Sequence, residues 1–171
     1  EECYQKWRDH LSKFGLGSKL HVDMTSEIDG FVPKTTYYDK FYGRKRWNGH
    51  TIISLAIGQG ELGVTPIQMA NISAILANRG WFYTPHVIKE IDGRPITDST
   101  YTEKHYTGID IEHHEQVVEG MFRVVESGTG RGVRFSKEIE VCGKTGTAQN
   151  PHGKDHSIFI AFAPKDDPKI A

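Results

Sequence analysis

The stretch that most limits how this chain can fold lies near its end. Residues 139–147 and 156–163, the second reading HSIFIAFA, are short and rich in β-forming side chains, and a polar stretch with Asn150, Pro151 and Gly153 separates them. Such runs suit a pleated surface, whereas Asn-Pro and Gly favour turns, so the pattern predicts two neighbouring antiparallel strands. The first strand contains Gly143-Lys144-Thr145, the tripeptide that closes a phosphate-binding P-loop. A P-loop needs its first glycine at position 138, where Glu138 stands and would repel a phosphate. It also needs a helix starting at the lysine, and Gln149, Asn150 and Pro151 do not begin one. In a strand, by contrast, Thr145 and Thr147 share one side while Lys144 and the bare face of Gly146 take the other. Two hydroxyls beside a cation suit a carboxylate, and Gly146 leaves room for a second backbone to add to the strand edge. A peptide with a free C-terminus fits that surface. A plain strand that happens to contain Lys-Thr-Gly accounts for the three residues as well.

Two helices are legible upstream. Thr65-Pro66-Ile67-Gln68 places a hydroxyl at an N-cap, proline at the first helical position and glutamine three residues on, the reciprocal arrangement of a capping box. A helix from Pro66 to about Asn78 follows, stopped by Gly80, with Ile67, Ala70, Ala74, Ile75 and Leu76 suited to burial. Val117, Val118, Met121, Phe122, Val124 and Val125 predict a second long helix over 112–127, ended by Gly128, and Gly128 to Gly132 then read as a flexible connector. Nearer the start, Tyr4, Trp7, Leu11 and Phe14 recur at helical spacing before Gly15 and Gly17. Residues 21–50 show no period and read as a long surface loop, its basic run Arg44, Lys45, Arg46 being solvated surface. Ile52 to Ile57 is too short to assign, and Trp81 to Ile91, with Pro85 inside it, predicts an edge strand or two short strands.

Composition narrows the function classes. A formal charge of −1 over 171 residues points to no nucleic-acid partner. No run of about 18 apolar residues is present, so nothing here spans a bilayer as a helix. Cys3 and Cys142 stand far apart and form no CxxC. His113-His114-Glu115 lacks the second histidine of an HExxH helix, Val118 taking its place, so no metal site is expected. No cofactor motif is present; Gly128 to Gly132 only superficially resembles a dinucleotide fingerprint.

Lys144-Thr145-Gly146-Thr147 resembles the third signature of the penicillin-binding transpeptidases and serine β-lactamases. The likeness extends along the chain through Phe14-Gly15-Leu16-Gly17, Val22-Asp23, Trp47-Asn48-Gly49-His50-Thr51, Gly58-Gln59-Gly60, Thr65 to Ala70, Gly143 to Gln149 and Ala161-Phe162-Ala163-Pro164. In order and spacing these are similar to class B penicillin-binding proteins, and Gly58-Gln59-Gly60 resembles the elongation type. The resemblance implies an α+β fold, an antiparallel sheet with packed helices. It also implies a peptidoglycan D,D-transpeptidase that acts on D-Ala-D-Ala stem peptides through a serine acyl-enzyme and binds β-lactam antibiotics. Lys144 and Thr147 would serve catalysis, the lysine by its charge and the Thr147 N–H as half of the oxyanion hole. Thr145, Gly146, Thr147 and Gln149 would bind substrate.

The same family places its nucleophile in an S-x-x-K motif and a further serine in S-x-N, and neither pattern occurs in this sequence. The resemblance therefore implies that residues 1–171 are a C-terminal portion of a transpeptidase domain, with both motifs before Glu1 and the last strand after Ala171. The parent would sit in the bacterial inner membrane with this portion on the periplasmic side, beside a membrane glycan polymerase and cell-elongation proteins. A non-catalytic peptide-binding domain is the alternative from another class.

Overall fold

The computed structural model describes residues 1–134, 136, 138–150 and 152–171. Helices α1 (Glu2–Lys13), α2 (Thr35–Tyr42) and α3 (Pro66–Ala77) come first, with a 3-10 turn over Ile53–Ile57 between the last two. Short strands β1 (Trp81–Phe82), β2 (Glu90–Ile91) and β3 (Arg94–Pro95) precede the brief helix α4 (Ser99–Thr102) and strand β4 (His105–Tyr106). The long helix α5 (Ile111–Glu126), a 3-10 turn over Arg131–Val133, and strands β5 (Cys142–Ala148) and β6 (His156–Phe162) complete the order. Among the described residues the strands pair antiparallel: β1 with β4, β2 with β3, and β5 with β6. Among the described residues no helix is long and apolar enough to cross a membrane.

The capping box forms as the sequence requires. Thr65 Oγ1 accepts from the Gln68 amide at 3.3 Å and Gln68 Oε1 accepts from the Thr65 amide at 3.0 Å. The side of α3 turned inward is more polar than its apolar residues suggested: Gln68, Asn71 and Ser73 are buried beside Ile75 and Ala77, whereas Ala70 is exposed. Each buried polar group has work for its hydrogens. Gln68 Nε2 donates to the carbonyls of Gly15, Ser18 and Asp29 at 3.1, 3.0 and 2.8 Å, Asn71 Nδ2 to that of Phe14 at 3.3 Å, and Ser73 Oγ to that of Ala161 at 2.9 Å. Buried donors left unpaired would be costly, so these contacts fix both the loops after α1 and strand β6 against one helix.

Residues 21–50 are not simply a surface loop, because they contain α2 and half of an aromatic core. Tyr38 is fully buried and packs with Tyr4, Trp47 and Leu55, its ring 5.7 Å from Tyr4 and 5.2 Å from Trp47. Every polar tip there is satisfied: Tyr4 Oη donates to Pro33 O at 2.8 Å, Tyr38 Oη to Glu61 at 3.1 Å and Trp47 Nε1 to Asp39 at 2.9 Å. Aromatic side chains bury much area from few positions, so this segment folds without an apolar period. The basic residues Arg44, Lys45 and Arg46 stay exposed, as expected.

The core under β5 and β6 is apolar. Val118 and Met121 of α5 pack with Ala77, Cys142 and Phe162, while Leu76, Phe122 and Ile160 close its sides. His114, Val118, Met121 and Val125 mark the buried stripe of α5, spaced as one helical face. Salt bridges tie the rim: Arg79 to Glu115 at 2.9 Å and Lys165 to Glu119 at 2.7 Å. Trp81 to Ile91 resolves into two short strands, as one of the sequence alternatives holds.

Candidate functional site

Gly143-Lys144-Thr145 lies inside β5, and β6 pairs with the strand along its whole length, from Cys142 opposite Phe162 to Ala148 opposite His156. No helix begins at the lysine, so the geometry of a phosphate-binding loop is not present here. The strand changes character along its length. Cys142 and Gly143 are buried, Thr145 and Ala148 are half-buried, and Lys144, Gly146 and Thr147 are exposed. Desolvation pushes the Cys142 thiol up to about 11, so it stays protonated and acts as an apolar side chain.

The exposed part of β5 carries the predicted site residues together. Lys144 Nζ donates to the Thr145 carbonyl, and Lys144 takes part in no ion pair among the described residues. A Cβ added to Gly146 would meet only Ile158 Cβ, at 3.7 Å, so packing within this chain does not demand glycine there. Gln149 is exposed just beyond the strand. The return to β6 is closed by Asp155, which accepts from the Asn150 amide at 3.1 Å, and by Asn150 Oδ1, which accepts from the His152 amide at 3.0 Å. Pro151, read with this turn, lies outside the described residues. His152 and His156 are exposed, in keeping with surface histidines.

Among the described residues, two side chains from elsewhere in the chain hydrogen-bond to this strand. Gln59 Nε2 donates to the Thr147 carbonyl at 3.0 Å, from a turn in which Gly58 and Gly60 both adopt left-handed φ values, 73° and 74°. Thr129 Oγ1 lies 2.9 Å from Thr145 Oγ1. Gln59 was visible in sequence only as the centre of a glycine-flanked triplet. Thr129 carried no signal, because residues 128–132 read as a connector; instead the Gly128 and Gly130 amides donate back to Arg123 and Val124 at 3.0 and 2.9 Å and wind the turn onto the end of α5.

His114 takes no part in this surface. It is buried with its Nε2 3.4 Å from Thr107 Oγ1, and burial, with His113 and Arg79 nearby, holds its pKa below the ordinary imidazole value. Asp110, Glu112 and His113 lie close together but are exposed on the far end of α5.

Comparison with known proteins decides the lineage. The family described as penicillin-binding protein transpeptidase domain matches residues 3–171. The chain belongs to this family. It is 37% identical over 180 residues to the peptidoglycan D,D-transpeptidase MrdA of Acinetobacter baumannii, covering 94% of this chain and 26% of that protein. The structure resembles penicillin-binding protein 2 of Pseudomonas aeruginosa in complex with WCK 5153, at 39% identity and a TM-score of 0.78, over 95% of this chain and 37% of that one. It also resembles penicillin-binding protein 2 of Helicobacter pylori in complex with MreC, at 27% identity and a TM-score of 0.77, over 96% of this chain and 30% of that one. The chain thus spans between about a quarter and somewhat over a third of these relatives' lengths. These relatives agree with the elongation-type likeness of Gly58-Gln59-Gly60, and the helices with small antiparallel sheets agree with the α+β class expected of a penicillin-binding transpeptidase domain.

Proposed function

We propose that the protein to which this chain belongs is an elongation-type peptidoglycan D,D-transpeptidase, and that residues 1–171 are the C-terminal portion of its catalytic domain. The observation that carries this reading is β5 itself: in a chain of the transpeptidase family, the Lys-Thr-Gly segment is extended, and its lysine, glycine and second threonine open to solvent. An extended ligand adds to such an edge as a further strand. Thr145 and Thr147 offer hydroxyls to its terminal carboxylate, Lys144 adds positive charge, and Gly146 and Gln149 border the bound backbone.

The nucleophile is a serine supplied outside this chain, since no S-x-x-K occurs in it. Its oxygen bonds to the penultimate carbonyl carbon of a D-Ala-D-Ala stem peptide while its proton passes to a base. The Thr147 N–H serves as one donor to the resulting oxyanion, a contact of a kind worth roughly 3–4 kcal/mol when removed. Collapse breaks the C–N bond and releases D-Ala with the proton on its amine. An amine of a neighbouring strand then displaces the serine, forming the cross-link. A β-lactam opens the same way but keeps its leaving amine tethered, so the serine ester persists. The H. pylori relative solved with MreC supports cell-elongation partners, with a membrane glycan polymerase beside them. The family supports an inner-membrane anchor and a periplasmic catalytic face.

The test is labelling of the full-length parent with a fluorescent penicillin. One covalent label per molecule is expected, lost or strongly slowed by Lys144→Ala, with no label on residues 1–171 alone. A parent that takes no label, and neither hydrolyses nor transfers a D-Ala-D-Ala peptide that it binds, overturns this reading in favour of a peptide-binding module.

A further inference from the structure

The contact between Thr129 and Thr145 has a direction that a carboxylate ligand would choose. Each hydroxyl carries one proton and two acceptor lone pairs. If Thr145 donates to Thr129 across the 2.9 Å gap, its only proton is spent. If Thr129 donates to Thr145, the Thr145 proton remains available. A carboxylate accepts and cannot donate, so only the second arrangement lets Thr145 bind it. We propose that Thr129 is a positioning residue for the terminal carboxylate of the ligand, acting through Thr145; this rests on the assignment of Thr145 to carboxylate binding made above.

Thr129 is built to keep its place beside Thr145. It is exposed, yet both its neighbours are fixed: the Gly128 and Gly130 amides bond back to the last turn of α5, at 3.0 and 2.9 Å. A Cβ on Gly128 would lie 2.9 Å from Val124 Cα, too close for a larger residue without a backbone shift, and one on Gly130 would lie 3.2 Å from both Val124 Cγ1 and Val124 O, a tight contact, so the turn hugs the helix. Helix α5 in turn is seated on β5 through Val118, Met121 and Cys142. The Thr129 hydroxyl is therefore located by the same core that locates the root of the strand. The chain of donors from Thr129 to Thr145 to carboxylate polarises each member, so loss of the first weakens the last. Lys144 donates to the Thr145 carbonyl from the same edge and adds its charge to that end of the ligand.

The experiment uses the full-length parent and follows acylation by a labelled penicillin, separating the binding constant from the acylation rate constant. Thr129→Val, which keeps the shape and removes the hydroxyl, should weaken binding roughly 3- to 10-fold with little change in the acylation rate constant, the scale of one perturbed charge-assisted hydrogen bond. Thr129→Ser should recover most of that loss. In a Thr145→Val background, which itself weakens binding, Thr129→Val should add nothing, since its effect passes through Thr145. Thermal melting of each variant identifies any that owes its loss to unfolding, and there the serine variant and the Thr145→Val background carry the comparison. If Thr145→Val weakens binding but Thr129→Val is silent, or if its full factor survives in the Thr145→Val background, Thr129 is not a positioning residue. If Thr145→Val itself leaves binding unchanged, the assignment of Thr145 fails, and the relay with it.

Discussion

Gln68→Glu exchanges a single NH2 for an oxygen and so isolates what the buried amide contributes. In the structure that amide faces the carbonyls of Gly15, Ser18 and Asp29 at 3.1, 3.0 and 2.8 Å, while Oε1 keeps the capping bond to the Thr65 amide. The amide has only two protons, so two full hydrogen bonds are lost and an oxygen is set against carbonyl oxygens. At about 1–3 kcal/mol for each buried group left without a partner, the cost is on the order of 4 kcal/mol. Burial disfavours the ionised carboxylate and raises its folded pKa above the unfolded glutamate value of about 4.3. The charge penalty is then fully present above the folded pKa and is relieved as the pH falls toward the unfolded one. Urea denaturation of wild type and Gln68→Glu, followed by circular dichroism at pH 8 and pH 5, should show a large gap that narrows at the lower pH. A gap under about 0.5 kcal/mol at pH 8, the scatter of ordinary surface substitutions, or one that widens on acidification, would refute the argument.

Three further outcomes follow from single residues. Cys3 is exposed and Cys142 is buried with its thiol pushed up to about 11, so iodoacetamide at pH 8 should modify one thiol in the native chain and both in denaturant. His114 has a folded pKa lowered by burial, so protonation favours the unfolded chain: stability is full above the ordinary imidazole pKa and falls as the pH drops below it. His114→Gln should flatten that fall between pH 7 and pH 5 in urea titrations by removing the titrating group, and an unchanged slope would clear His114 of any part in it. Gly146→Ala places a methyl 3.7 Å from Ile158 Cβ, so the melting temperature should hold, while penicillin acylation of the parent drops about 10-fold or more because the edge where a ligand backbone approaches is filled. Unaltered acylation would mean that the ligand does not run past Gly146.

What could be read from the sequence depended on how local each signal is. Thr65-Pro66-Ile67-Gln68 announces its helix because both capping bonds fall within four residues, and β5 with β6 is legible from composition because its partner strand is next in the chain. The burial of Tyr38 and Trp47 has no local signal because it depends on Tyr4, more than thirty residues upstream, and no repeat within 21–50 records that meeting. The polar inner side of α3 was hidden for a similar reason: Gln68, Asn71 and Ser73 look like surface until the loop carbonyls and β6 arrive to accept their hydrogens. At the candidate site the residues on β5 could be named in advance. Gln59 and Thr129 could be given roles only once folding brought them from 88 and 16 positions away.

Strand β5 behaves as a cantilever. Its root, Cys142 and Gly143, is clamped in the apolar core, whereas its tip at Thr147 is held by the paired strand β6 and, among the described residues, by one further side-chain hydrogen bond, from Gln59. Residue 59 therefore adds to the stiffness that β6 gives the tip, and can be changed without disturbing the core. Amide exchange should accelerate from root to tip, and the gradient should steepen when the Gly58-Gln59-Gly60 turn loses its bond to Thr147.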